Sequence, residues 1–178
     1  MSDNIRVGLI GYGYASKTFH APLIAGTPGM TLAAVSSSDA AKVHADWPSV
    51  PVVSEPKHLF NDPNIDLIVI PTPNDTHFPL AKAALEAGKH VVVDKPFTVT
   101  LSQARELDAL AKSLGRLLSV FHNRGWDSDF LTVKRLLSEG SLGEILFFES
   151  HFDRFRPQVR NRWREQAGPG SGIWYDLA

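Results

Sequence analysis

A doubly wound parallel α/β sheet is the fold class that the sequence predicts, and three observations predict it. Strand-like and helix-like runs alternate from residue 5 to residue 121 with only short breaks, the pattern of repeated β–α units joined by right-handed crossovers. The first strand-like run, Ile5-Arg-Val-Gly-Leu-Ile10, leads directly into a glycine-rich turn, Gly11-Tyr12-Gly13-Tyr14-Ala15-Ser16. A later run, His90-Val-Val-Val-Asp-Lys-Pro96, sets three valines in a row, which suits a strand buried on both faces of a parallel sheet.

The elements follow in order. Strands are expected at 5–10, 31–36, 50–53, 65–70, 90–94 and 117–121, with helices between them at about 15–26, 39–46, 55–61, 75–87 and 101–114. In the first helix, Phe19-His20-Ala-Pro22 reads as packing near the glycine turn. Strand Leu32-Ala-Ala-Val35 gives way to Ser36-Ser-Ser-Asp39, where Asp39 is placed to cap the next helix. After strand 65–70, the prolines of Pro71-Thr-Pro-Asn-Asp-Thr-His77 delay the helix until Asn74, Asp75 or Thr76 can cap it. That helix runs through Leu80, Ala84 and Leu85 and is closed by Gly88. Pro96 cannot extend a ladder, so its strand stops at Lys95. Thr100-Leu-Ser-Gln103 has the spacing of a capping box, Leu101, Ala104, Leu107, Ala111 and Leu114 keep helical spacing, and Gly115 follows as a C-cap.

Beyond Phe121 the style changes. A helix is expected at Phe130–Leu137 and a long strand at Glu144–Asp153, followed by an arginine-rich loop, a Gly168-Pro-Gly-Ser-Gly172 break and Ile173-Trp-Tyr-Asp-Leu-Ala178. Residues 1–122 form one domain on this reading, and 123–178 are the incomplete start of a second, because one helix and one strand cannot close a core. The chain is expected to be the front part of a longer protein, with an exposed 144–153 strand that drives self-association or disorder until it is paired.

Composition narrows the function classes. A net charge of −1 over 178 residues offers no general field for nucleic acid or anionic membrane. With no cysteine there is no disulfide framework, thiolate nucleophile or cysteine zinc site. The start of the chain lacks signal-peptide features, and no apolar run approaches the ~20 residues of a membrane span, so a cytoplasmic location is expected. The histidines (20, 44, 58, 77, 90, 122 and 151) show no metal-ligand spacing, and no metal is assigned. Arg154, Arg156, Arg160, Arg162 and Arg164 crowd one loop with Phe155 and Trp163. A phosphate-bearing cofactor or an acidic partner face explains that cluster more simply than nucleic acid, and a solvated interface loop is the competing reading.

The chemistry gathers at strand ends, where open α/β sheets bind ligands. Gly11 permits a tight turn, Gly13 lets backbone N–H groups approach a pyrophosphate, and the following helix start supplies free donors. Ser16, in place of a third glycine, is small enough for close packing and has a hydroxyl able to donate to a phosphate. At the end of strand two, the acidic position that binds ribose in NAD-type sites falls at about Ser37, within Ser36-Ser37-Ser38, and carries a neutral hydroxyl. Without a carboxylate to repel a 2′-phosphate, these serines and Lys42 favour NADP, with NAD possible. A Ser-rich helix cap is compatible with that role. Pro71, Thr72, Asn74 and His77 lie at the end of the 65–70 strand, as cofactor contacts or as a capped turn with a surface histidine. Asp94, Lys95 and Pro96 lie at the one after, with Lys95 facing a ligand pocket or held in a structural ion pair.

The glycine turn, Pro71-Thr-Pro-Asn-Asp-Thr-His77, Asp94-Lys95-Pro96 and Gly170-Ser-Gly172…Asp176, in this order, resemble the glucose–fructose oxidoreductase / inositol dehydrogenase / MocA (Gfo/Idh/MocA) family over essentially the whole chain. The resemblance implies an NAD(P)-binding Rossmann domain, an α+β C-terminal domain with a broad sheet that supports homodimers, and hydride transfer on sugars, polyols or related alcohols. The family's usual Glu-Lys-Pro is Asp94-Lys95-Pro96 here, with the lysine kept. The resemblance also implies that Lys95 and Asp176 are catalytic and that Asn123, Trp163 and Arg164 touch the nicotinamide end or the phosphates. The family's histidine four residues after the aspartate would fall beyond Ala178. These 178 residues are therefore expected to bind cofactor without turning over a substrate. The competing function is a non-catalytic NAD(P)-binding regulatory or assembly protein, which would have little reason to keep Lys95.

Overall fold

The computed structural model describes residues 4–151, 153, 155, 157–158, 165, 167–172 and 175. Six strands form one sheet: β1 (Ile5–Ile10), β2 (Met30–Ser36), β3 (Val52–Val53), β4 (Leu67–Ile70), β5 (His90–Val93) and β6 (Leu118–Val120). Their order is β3-β2-β1-β4-β5-β6, and every pairing is parallel. The order reverses between β1 and β4, so the crevice beyond their carboxyl ends is the topological switch point at which such sheets bind ligands.

The sheet is buried on both faces because its side chains alternate and each face has its own helices. Ile68, Ile70, Val91 and Val93 pack with Leu59 and Phe60 of α3 (Pro56–Phe60), Ala81, Ala84 and Leu85 of α4 (His77–Glu86), and Leu107 and Ala111 of α5 (Leu101–Ser113). Val7, Leu9, Val35 and Val69 point the other way, against Ala21 and Ile24 of α1 (Ala21–Gly26) and Val43 of α2 (Ala40–His44). This period of two is what makes the apolar runs readable as strands. Two caps match their sequence signals, whereas α4 starts after Thr76 with no side-chain cap hydrogen bond, so none of Asn74, Asp75 and Thr76 caps it as expected. The Asp39 carboxylate accepts from the Lys42 N–H at the start of α2, and Thr100 and Gln103 form the full capping box of α5.

Two elements depart from expectation. The first helix is not uniform: Ser16–His20 is a π-helical turn, with the Ala21 N–H reaching back to the Ser16 carbonyl, ahead of α1. Such turns occur mostly as local bulges, frequently at functional sites. The expected strand at 144–153 is not formed among its described residues. A strand is defined by its neighbour, and none of the described strands pairs with this segment. Leu146, Phe147 and Phe148 lie exposed there. The helix ahead of it, α6 (Ser128–Ser138), is present. No helix among the described residues is long and apolar enough to cross a membrane.

Candidate dinucleotide-binding site

Three strand-end loops make the site. The first follows β1. The Gly11 N–H donates to the Ser36 carbonyl at 2.7 Å, tying the end of β1 to the end of β2. Gly11 has φ +78°, a left-handed conformation in which glycine carries no side-chain penalty. A Cβ on Gly11 would lie 3.6 Å from the Thr72 methyl group, so this loop runs against the one after β4. Gly13 is exposed, with nothing near its Cβ position. Backbone there is open to close approach by a ligand.

The neighbouring side chains brace the turn from below. Ser16 is fully buried and its hydroxyl donates to the Gly11 carbonyl at 2.8 Å, so it closes the loop and does not face a phosphate. Tyr12 is buried, and its hydroxyl donates to Asp46 at 2.9 Å. Lys17 pairs with the same carboxylate at 2.8 Å. Lys17 and then Tyr12 hold the Asp46 carboxyl below its ordinary range, while burial, with the Asp46 bond, pushes the Tyr12 phenol up. Ala15 is half-buried and Tyr14 exposed, its ring edge-on to Phe19. The Tyr12–Asp46–Lys17 network was not legible in the sequence, because Asp46 follows α2 and reaches the turn only through the fold.

The second loop follows β2. Ser36 is buried, Ser37 half-buried and Ser38 exposed. The Ser37 hydroxyl accepts the Asp39 N–H at 3.1 Å, which tightens the cap of α2. A cavity of about 420 Å³ opens here between the two loops, lined by Gly11, Tyr12 and Gly13 on one side and Ser36–Asp39, Lys42 and Ser54 on the other. The fit to a dinucleotide is direct: an open glycine backbone at one end, and serines with a lysine at the other.

The third part joins the ends of β4 and β5. Pro71 and Thr72 are half-buried, and the Thr72 and Thr76 hydroxyls lie 2.6 Å apart, with Thr76 donating onward to the Pro73 carbonyl. His77 is buried, not a surface histidine, and it clamps two loops: Nε2 lies 2.8 Å from the Thr72 carbonyl and Nδ1 2.8 Å from the Pro96 carbonyl. The Lys95–Pro96 peptide bond is cis. Asn74 is buried against the Gly168–Gly172 loop, its Nδ2 donating to the Gly170 carbonyl.

Asp94 is the hub behind Lys95. One carboxylate oxygen accepts the Lys95 backbone N–H at 2.7 Å. The other lies 3.4 Å from Nε2 of the buried His20, whose ring also packs on Phe121. Burial alone would push the Asp94 carboxyl up, but His20 and the Lys95 N–H outweigh it and hold the group below the usual aspartate range. A carboxyl depressed in the folded state stabilises the fold above its unfolded value, about pH 4, and loses that contribution as pH falls through the folded value. Asp94→Asn should therefore be less stable than the parent protein near neutral pH, with the gap shrinking below about pH 4. Urea midpoints across that range check it, and a gap independent of pH would refute it.

Asn123 is half-buried and opens the short turn Asn123–Trp126 after β6. Trp163, Arg164 and Asp176 lie outside the described residues, as do Arg154, Arg156, Arg160 and Arg162.

Comparison with known proteins agrees with this geometry. Residues 5–122 match the family model for the GFO/IDH/MocA oxidoreductase family, NAD-binding Rossmann fold, and residues 130–178 match the GFO/IDH/MocA C-terminal domain. The chain is 89% identical over 178 residues to the uncharacterized oxidoreductase YdgJ of Escherichia coli (strain K12), covering 100% of this chain and 51% of that protein. It is 42% identical over 175 residues to scyllo-inositol 2-dehydrogenase (NADP(+)) IolW of Bacillus subtilis (strain 168), covering 98% of this chain and 49% of that one. The solved structure of YPO2259 from Yersinia pestis matches with a TM-score of 0.93 at 74% identity, over 99% of this chain and 50% of that one. The chain spans about half the length of the curated relatives it matches. A glycine turn at a topological switch point and two family models in register along the sequence agree: the chain belongs to the Gfo/Idh/MocA oxidoreductase family, and its six-stranded sheet is that family's NAD-binding Rossmann fold.

Proposed function

We propose that this chain carries the cofactor half of an NADP(H)-dependent oxidoreductase that moves a hydride between the nicotinamide and a sugar, polyol or related alcohol or carbonyl. The observation that supports it is the turn after β2. Its cavity wall consists of Ser36, Ser37, Ser38, Asp39, Lys42 and Ser54, and the one carboxylate among them, Asp39, is engaged in capping α2 through the Lys42 N–H. Hydroxyls and a lysine that face a cavity suit an added phosphate, which a free carboxylate would repel. The name of IolW, an NADP(+) dehydrogenase of scyllo-inositol, points the same way for cofactor and substrate class.

The cofactor supplies the hydride acceptor or donor, and the protein supplies position and charge. The Gly11–Gly13 backbone would take the pyrophosphate, and Ser37, Ser38 and Lys42 the 2′-phosphate. Lys95 stands at the end of β5 with its backbone N–H fixed by Asp94. Its ammonium would donate to the substrate oxygen and stabilise the alkoxide charge that develops as a C–H bond breaks. Asp176 would orient the substrate hydroxyls.

Fluorescence titration tests the cofactor reading. NADPH is expected to bind more tightly than NADH, and Ser37→Asp should weaken NADPH by about ten- to a hundredfold while NADH gains on it. A parent protein that prefers NADH would overturn the assignment.

A further inference from the structure

Two motifs that look unrelated in sequence meet in the fold. Asn74 belongs to the loop after β4, and Gly170 to the Gly168-Pro-Gly-Ser-Gly172 segment. Among the described residues after Ser138, Gly170 is the only buried one. It is seated on Asn74, whose Nδ2 donates to its carbonyl, with a Val99 methyl 3.3 Å from where a Cβ on Gly170 would lie. That Cβ would also collide with the Asn74 amide. Gly170 has φ +70°, so both its conformation and its seat require glycine.

The Asn74 amide is spent on this contact. The side chain is 2% exposed, its nitrogen donates to Gly170, and its Oδ1 is buried with no hydrogen-bond partner among the described residues. An oxygen sealed from solvent in this way is not presented to a ligand in the crevice. The Ser171 hydroxyl and N–H both donate to the Gly168 carbonyl, so the loop is closed on itself and meets the sheet domain as a unit.

We infer that Asn74 is a positioning residue: it is the seat that holds the Gly168–Gly172 loop against the end of β4. It acts through Gly170, and not as a contact to the cofactor. The inference rests on the reading of this edge as the oxidoreductase site, but the seat can be tested separately from that reading.

The test uses Asn74→Leu, which fills the seat without a donor, and Gly170→Ala, which blocks it from the loop side. Both are made in the full-length protein, singly and together. Hydrogen exchange over 167–172 and NADPH titration are measured on each. Exchange over 167–172 is expected to rise by about tenfold or more in each single variant, with no further rise in the double, because both remove one contact. NADPH affinity should stay within about threefold of the parent, and the urea midpoint of the sheet domain should barely move. Unchanged exchange in the variants overturns the seat. A tenfold loss of NADPH affinity in Asn74→Leu also overturns it, by making Asn74 a cofactor contact. If the parent protein binds neither NADPH nor NADH, the proposed function fails, while the exchange measurement still decides the seat.

Discussion

Replacing Lys95 with alanine is expected to lower turnover in the full-length protein by about 10²–10⁴-fold, the usual contribution of a positioned proton donor or acceptor. The backbone at this position is over-determined: the Lys95 N–H is held by Asp94, Asp94 is held by His20, and the Pro96 carbonyl is held by His77. The ties at residues 95 and 96 are to backbone groups, so they do not depend on the Lys95 side chain. Loss of the ammonium should fall mainly on kcat, since its charge is needed most where alkoxide character develops. NADPH affinity should change far less than turnover. Lys95→Arg keeps a cation but not its shape or its capacity to lose a proton, so it should recover little activity. Steady-state kinetics with scyllo-inositol and a panel of polyols decide the matter. An alanine variant with turnover within a few-fold of the parent would remove Lys95 from the chemistry, and with it the chief argument against a non-catalytic cofactor-binding protein.

How much of this was legible in the sequence depends on the range of the interactions. The alternation of β and α elements, the glycine turn, the Asp39 cap and the Thr100 capping box are local. Each is written in a few adjacent residues whose backbone preferences agree with the final fold. The groups that brace the site are not local. His20 meets Asp94, Tyr12 meets Asp46 and Asn74 meets Gly170 only after the sheet brings their loops together. No periodicity encodes such pairs. A hint was present in chemistry alone: a histidine in the first helix beside an otherwise apolar packing face needs a polar partner when buried, and Asp94 is the one it finds. The strand expected at 144–153 failed for the opposite reason. Its alternation was local and correct in form, but a strand requires a neighbour that no local signal can supply. Ser16 shows a third kind of gap, because a hydroxyl's direction is settled by packing and the sequence shows only that the hydroxyl is there.

The largest loss of stability from one polar substitution is expected at His77. Its side chain is 1% exposed and stands between the loops after β4 and β5, with one ring nitrogen 2.8 Å from the Thr72 carbonyl and the other 2.8 Å from the Pro96 carbonyl. Carbonyl oxygens only accept, so a ring nitrogen that carries a hydrogen donates to the carbonyl it faces. Leucine would fill much of the same space but remove the ring donor, and an unsatisfied buried polar group costs about 1–3 kcal/mol. His77→Leu should therefore cost about 1–3 kcal/mol, for the carbonyl that loses its donor. His77→Gln keeps an amide donor for one carbonyl and should lose less than the leucine variant. Urea unfolding at constant m-value checks the ranking. Because the clamp joins the Thr72 loop to the Lys95–Pro96 turn, the leucine variant should also bind NADPH more weakly than its remaining stability alone would explain. If instead the leucine variant lost less than about 1 kcal/mol, the ring would be a packing element, and the two strand ends would have to be held together by the sheet itself.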